Sequence, residues 1–114
     1  LNPRLIVMEY NASIPADKSI TVPYDPKFNR FDTHYMYHGA SLAALNKLAK
    51  KKGYVLVGCD STGCNAFFVR KDLAKGKFKE ISVEDAFYPQ IYRMKSCSLQ
   101  GQFDKIKDFE WQEI

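Results

Sequence analysis

A helix pattern in the middle of the chain constrains the fold more than any other feature. Residues 41–52, SLAALNKLAKKK, contain apolar residues at helical spacing. These residues form one stripe: Leu42, Leu45, Leu48 and Ala49. Ser41 is a favourable N-cap residue, and Gly53 suits the left-handed position that often follows the last helical turn. We therefore predict a helix over residues 41–52 that packs one face on a core.

Two short apolar segments follow this helix. Residues 54–59, YVLVGC, and residues 64–70, CNAFFVR, have the length and composition of buried strands. The sequence between them, DSTG, is typical of a tight turn, with Gly63 available for a positive φ. Because the connection is short, the two strands are predicted to form an antiparallel hairpin.

A third apolar segment lies at residues 5–10. Its apolar residues are continuous rather than alternating, which favours a strand with both faces covered in a parallel sheet. The predicted helix joins it to the strand at 54–59, so a right-handed parallel crossover is expected. The strand at 64–70 would then run antiparallel to its neighbour. The predicted fold class is α/β, with a parallel strand–helix–strand unit and an additional antiparallel hairpin strand.

The remaining segments have weaker patterns. Residues 11–38 contain three prolines and several aromatic residues, and we predict a long ordered loop with a short strand at 19–22. Ser82 starts a second short helix, which ends before Pro89. Residues 91–114 are predicted to be an irregular tail of a single domain formed by residues 1–114.

Charge and cysteine content argue against several classes of protein. The net charge of +4 resides largely in lysine clusters that are interpreted as solvated surface, so we expect no nucleic-acid partner. No apolar run has the length of a membrane span and no segment has the pattern of a signal peptide, so we expect no membrane partner and a cytoplasmic location. The three cysteines, an odd number, are interpreted as reduced thiols.

Four segments carry a family resemblance: LIVMEYN at 5–11, TVPYDP at 21–26, GASLAALNKLAKKKGYVLVGCDSTGCNAFFVRKDL at 39–73 and EDAFYPQ at 84–90. Together they resemble the C-terminal half of uncharacterised bacterial proteins related to the FkbM-type methyltransferases, which belong to the class I S-adenosylmethionine-dependent methyltransferases. The sheet of that family ends with a strand, a helix and a reversed hairpin strand inserted into the sheet. The resemblance implies a partial Rossmann-like methyltransferase sheet. For the parent protein it implies methyl transfer to an oxygen or nitrogen acceptor.

The chain lacks the cofactor-binding motif of that family. Such enzymes bind the cofactor at a glycine-rich strand-to-helix turn upstream of the region that the resemblance covers. The nearest equivalent here, GCDSTG at 58–63, is a predicted hairpin turn and opens no helix. We therefore interpret the chain as a fragment, the C-terminal half of a larger α/β domain. We expect it to bind no S-adenosylmethionine and to be inactive alone, whereas the full-length parent would bind this cofactor.

Two candidate substrate-binding residues lie at the end of the strand at 5–10. In open α/β sheets the ligand crevice lies at the carboxyl ends of the strands. Glu9 and Asn11 occupy that end and are candidate substrate contacts. The alternative is structural: Glu9 accepts hydrogen bonds from loop amides, and Asn11 starts the turn.

The long loop supplies four further candidates. Tyr24 and Asp25 lie in PYDP, where the flanking prolines favour a rigid extended backbone, either as a lid over the cleft or as a loop anchor. His34 and His38 are spaced i, i+4, but without a regular helix or an evident third ligand they predict no metal site. We interpret both as loop histidines that face the cleft.

A second interpretation is a small stand-alone α/β module used for binding or assembly. An unpaired edge on the first strand would offer its backbone to another chain. The expected partner is then a second copy, in a homodimer formed through that edge or through exchange of the loop at 11–38.

Overall fold

The computed structural model describes residues 2–114, which form five strands and six helices. In chain order they are β1 (Leu5–Glu9), β2 (Ile20–Thr21), α1 (Arg30–Thr33), α2 (Leu42–Lys51), β3 (Tyr54–Cys59), β4 (Asn65–Arg70), α3 (Lys71–Ala74), α4 (Val83–Ala86), α5 (Ile91–Met94), α6 (Leu99–Asp104) and β5 (Gln112–Glu113).

Three strands form the main sheet, in the order β1-β4-β3. Leu5 of β1 lies opposite Val69 of β4, and Tyr54 of β3 lies opposite Arg70 of β4, with both pairings antiparallel. Because β1 and β3 each run antiparallel to β4, they point in the same direction without pairing. The mixed α/β content and the antiparallel hairpin are confirmed. The predicted parallel pairing is wrong for the described strands, since β4 lies between the two that would have formed it.

Helices cover the two faces of this sheet unequally. The ten-residue α2 packs on one face, where Leu42, Leu56 and Phe68 are buried in the main core. On the other face the four-residue α3 forms only a small cluster with Val55 and Val69. The part of the second face that lies beyond this cluster is therefore not covered by a helix.

Strand β1 lies at that open part of the sheet. Ile6 and Met8 pack against the main core, whereas Leu5 and Val7 alternate with them and are 53% and 52% exposed on the second face. The predicted burial of both faces of β1 is therefore wrong. The continuous apolar run indicated two covered faces, but alternate side chains of a strand point to opposite sides and a single helical layer covers only one of them.

The predicted central helix is confirmed as α2, together with both of its end signals. The Ser41 hydroxyl accepts hydrogen bonds from the backbone N–H groups of Ala44 and Ile20, both at 3.1 Å. Gly53 follows the helix with φ +86°, a conformation that glycine adopts without strain. Because Ser41 also binds Ile20, the start of α2 is fixed to the long loop that precedes it.

A second core joins this loop to the C-terminal segment. Its buried members come from both regions: Ile14, Ile20, Met36, Tyr37, Phe103 and Ile106. The ring of Tyr37 lies 5.0 Å from that of Phe109 and 4.9 Å from that of Trp111, and β2 pairs with β5. Residues 91–114 therefore differ from the predicted irregular tail, because contacts with the loop order α5, α6 and β5 there.

All helices are short, with α2 the longest of those described. Within residues 2–114, no helix combines the length and apolar content that crossing a membrane requires. All three cysteines are free thiols.

The buried cap at Ser41 is expected to stabilise the fold more than an exposed cap does. Ser41→Ala removes the cap and leaves the buried Ile20 N–H without a partner, so we expect a loss of about 2–4 kcal/mol in the free energy of unfolding. Ser82 caps α4 through the Asp85 N–H in an exposed setting, and Ser82→Ala is the matched control, with an expected loss of about 1 kcal/mol. Urea denaturation followed by circular dichroism measures both. Equal losses would contradict a stabilising role for the bond to Ile20.

Candidate functional site

A cleft of about 190 Å³ lies at the carboxyl end of β1. Four parts of the chain meet there: the end of β1, the long loop, the β3–β4 turn and the segment that contains α5. The lining residues are Glu9, Tyr10, Ala12, Arg30, His38, Gly63, Cys64, Gln90 and Arg93. A small cavity with several convergent polar side chains is a candidate binding site.

Arg93 connects the segments around this cleft. Its Nη1 donates to the Asn11 Oδ1 at 3.3 Å and to the Ser13 Oγ at 2.9 Å. Its Nη2 lies 3.2 Å from the His38 Nε2, and since a guanidinium only donates, this imidazole nitrogen accepts. The face of the Tyr35 ring lies 5.7 Å from the guanidinium carbon. Arg93 is thus held by neutral partners.

The side-chain amide of Asn11 is hydrogen-bonded to other groups of the protein through both its nitrogen and its oxygen. Its side chain is buried, and its Nδ2 donates to the backbone carbonyls of Met36 at 2.7 Å and His38 at 3.0 Å. Its Oδ1 accepts from the Ser13 N–H as well as from Arg93. Asn11 therefore starts a turn, as the structural alternative expected, and also positions Arg93 and His38.

The electrostatic setting keeps His38 uncharged at neutral pH. Burial, followed by the positive charges of Arg30 and Arg93, lowers the pKa of His38 to about 4. Burial and the charge of Arg30 also lower the pKa of Arg93, which nevertheless stays cationic because arginine is not deprotonated in proteins. The cleft therefore offers two guanidinium groups beside a neutral imidazole.

The β3–β4 turn fixes the position of α5. Gly63 has φ +79°, and a Cβ at this residue would collide with the backbone carbonyl of Pro89. The Thr62 carbonyl accepts a hydrogen bond from the Ile91 N–H at 3.1 Å. A glycine in the turn thus permits the close approach that brings Arg93 to the cleft.

Three of the six predicted substrate-binding residues lie at this cleft. Glu9 and His38 line it, and Asn11 supports it. The Glu9 side chain is exposed and accepts no hydrogen bond from the described residues, so the predicted bonds to loop amides are wrong. His34 does not line the cleft. Its Nδ1 accepts from the Met36 N–H at 3.1 Å and its ring stacks on Tyr35.

Tyr24 and Asp25 lie apart from the cleft. They border a separate depression together with Phe28 and Glu110, and Tyr24 is 90% exposed. Asp25 accepts a hydrogen bond from the Lys27 N–H at 2.9 Å, as expected of a loop anchor. The predicted lid over the cleft is therefore not formed by these two residues.

Within the described residues, no group of three side chains suits a metal ion. His34 and His38 have no third ligand beside them there. Cys59 lies outside the cleft lining, and burial raises the pKa of its thiol to about 11. This thiol is protonated at neutral pH and is a poor nucleophile.

Two arginines of the site were not predicted from the sequence. Arg30 starts α1, a single turn within the long loop, and Arg93 lies in the segment predicted to be irregular. One local signal was present: Gln90 follows Pro89 and its side chain accepts from the Arg93 N–H at 2.7 Å, which caps α5. A polar residue at the start of a short turn indicates a cap but gives no indication of which cleft the turn faces.

A larger cavity lies elsewhere, between α2 and the segment that leads into α4, with a volume of about 570 Å³. It is a wide groove open to solvent. Its lysines are engaged, since Lys50 pairs with Glu80 at 3.2 Å and Lys47 donates to the Ile114 carbonyl at 2.9 Å. The smaller cleft is the better candidate because its cations lack such partners.

No protein-family model, curated protein or solved structure matches this chain. The side chains of the cleft and the order of the strands are therefore the basis for a functional assignment.

His38 is expected to titrate far below an ordinary histidine. Its pKa is about 4 in the folded chain and about 6.5 when unfolded. The unfolded chain therefore binds this proton first, and the free energy of unfolding should fall as the pH drops from about 6.5 to about 4. NMR titration of the imidazole signals measures the pKa, and His34→Asn assigns them. A midpoint for His38 near 6.5 would contradict the described burial.

Proposed function

We propose that this chain is the C-terminal, substrate-side portion of a methyltransferase-like protein related to the FkbM type. The observation that carries the proposal is the strand order β1-β4-β3, in which a reversed strand lies between two strands that point the same way. The sheet of the family that the chain resembles likewise ends with a reversed hairpin strand inserted into the sheet. Direct parallel pairing of β1 with β3 would have left β4 at the edge of the sheet.

The position of the cleft agrees with this proposal. It lies at the carboxyl end of β1, the edge of an open α/β sheet where ligands bind. Methyl transfer needs a donor and a nucleophile held in line and little covalent help from the protein. The side chains of the cleft are suited to orienting an acceptor, with Arg93 fixed by Asn11 and Ser13.

The residues of this chain do not fit the cofactor. The family binds it at a glycine-rich turn that opens a helix. Here Gly58 and Gly63 belong to a β-hairpin, and Pro89 closes the space next to Gly63. We assign S-adenosylmethionine to the parent protein and no methyl-transfer step to this chain alone. A cytoplasmic location stays a prediction.

Calorimetry with S-adenosylmethionine tests the assignment to a cofactor-free portion. We expect no binding heat from the 114-residue chain, because it lacks a glycine-rich strand-to-helix turn. A longer chain that includes the upstream coding sequence is expected to contain that turn and to bind the cofactor. Micromolar binding by the short chain, or an upstream sequence without a glycine-rich strand-to-helix turn, would contradict the proposal.

A second candidate function is assembly as a small α/β module. The observation that favours it is the exposure of β1, which is an edge strand and has Leu5 and Val7 about half exposed. Edge strands with apolar side chains tend to pair with other chains unless they are protected. A homodimer through the β1 edge would cover both the backbone and these side chains.

Light scattering after size exclusion tests this candidate. We expect Val7→Lys to reduce any dimer, because it places a charge on the proposed contact. Leu48→Lys is the matched control, since Leu48 is 45% exposed on α2 and lies away from that edge. A monomer at all concentrations would contradict assembly. A dimer that survives Val7→Lys would instead implicate exchange of the loop at 11–38.

A further inference from the structure

We propose that the cleft at the end of β1 binds the carboxylate group of a small acidic ligand through Arg30 and Arg93. The inference deepens the proposed function, on which it rests for the role of that ligand as the methyl acceptor. The binding site itself is argued from the geometry of the cleft.

Arg30 and Arg93 both line the cleft, and neither forms an ion pair with a carboxylate of residues 2–114. The ion pairs that are described join other residues: Lys50 with Glu80, Arg70 with Asp72, and Lys107 with Asp104. Withdrawing a cation from water without a counterion costs free energy. A bound anion would offset that cost.

Both arginines have guanidinium donors that no described residue occupies. Arg93 uses at most three of its five N–H donors on Asn11, Ser13 and His38, so at least two remain. The three bonds and the Tyr35 ring hold the guanidinium in place before a ligand arrives. The Arg30 guanidinium lies 5.1 Å from the centre of the Phe31 ring and donates no hydrogen bond to the described residues. The free donors of the positioned Arg93 guanidinium match the two oxygens of a carboxylate.

The charges of the cleft favour a monoanionic ligand. The cleft has two cations, Arg30 and Arg93, one anion, Glu9, and a neutral His38. The sum of two positive charges and one negative charge is one positive charge. A ligand group with a single negative charge balances it, whereas a phosphate dianion would overcompensate. The cleft volume of about 190 Å³ suits such a small group.

Titration of the 15N-labelled 114-residue chain with propionate tests the proposal. Sodium chloride keeps the ionic strength constant, and backbone amides around the cleft report binding. We expect shifts at residues 9–13, 30–38, 63–64 and 90–93. Inorganic phosphate, used at mildly alkaline pH where it is mainly a dianion, is expected to bind more weakly.

Variants assign the binding to the two arginines. Arg30→Gln removes no hydrogen bond of the described residues, so the fold should persist, and propionate affinity should fall about tenfold or more. Arg93→Lys keeps the charge and loses the planar fork, and a similar reduction is expected. Arg4→Gln is the matched control, because Arg4 is exposed and outside the cleft, and it should bind like the wild type.

The outcomes separate the two proposals. No propionate binding, unchanged binding by Arg30→Gln, or tighter binding of phosphate would each overturn the carboxylate site. Propionate binding with the expected variant pattern supports it even if the longer chain fails to bind S-adenosylmethionine. In that case only the methyltransferase assignment is contradicted.

Discussion

The double pairing of β4 determines the rest of the molecule. Its edges bind β1 on one side and β3 on the other, and Ala66 and Phe68 within it are fully buried. The register places Glu9 opposite Asn65, and the Tyr10 N–H donates to the Cys64 carbonyl at 3.0 Å. The β3–β4 turn therefore lies beside the end of β1. A cleft at that end is a direct consequence of inserting β4 into the sheet.

A second constraint is the polar network around Asn11. Buried polar groups need hydrogen-bond partners. The Asn11 side chain donates to the backbone carbonyls of Met36 and His38 and accepts from Arg93. Because all hydrogen-bond partners of Arg93 within the described residues are neutral, they hold the guanidinium in position without forming an ion pair with it. This combination of order and unbalanced charge distinguishes the cleft from the larger groove beside α2, where Lys50 has its own acidic partner.

Local signals accounted for much of the secondary structure. The helix at α2 and the hairpin of β3 and β4 were predictable, because the cap at Ser41, the glycine at 53 and the turn glycine at 63 act within a few residues. The strand order was not predictable, because β1 could pair with the free edge of either β3 or β4 and no local signal decides between them. The order of residues 91–114 depends on Tyr37 contacting Phe109 and Trp111, which no nearby residue indicates.

The candidate site was predictable only in part, for the same reason. Glu9, Asn11 and His38 were found because strand ends and polar loop residues mark the crevice of an α/β sheet. Arg93 was missed because its contact with Asn11 spans 82 residues of sequence and depends on a one-turn helix.

Trp111 gives the second core a spectroscopic consequence. It is the only tryptophan of the chain, its indole N–H donates to the Ile106 carbonyl at 3.0 Å, and its ring meets the Tyr37 ring edge to face. Its emission therefore arises from the contact between the long loop and the C-terminal segment and from no other part of the protein. Separation of that loop would expose the indole to water while the β1-β4-β3 sheet stayed intact, so a change in its fluorescence without a change in far-UV circular dichroism distinguishes loop opening from global unfolding.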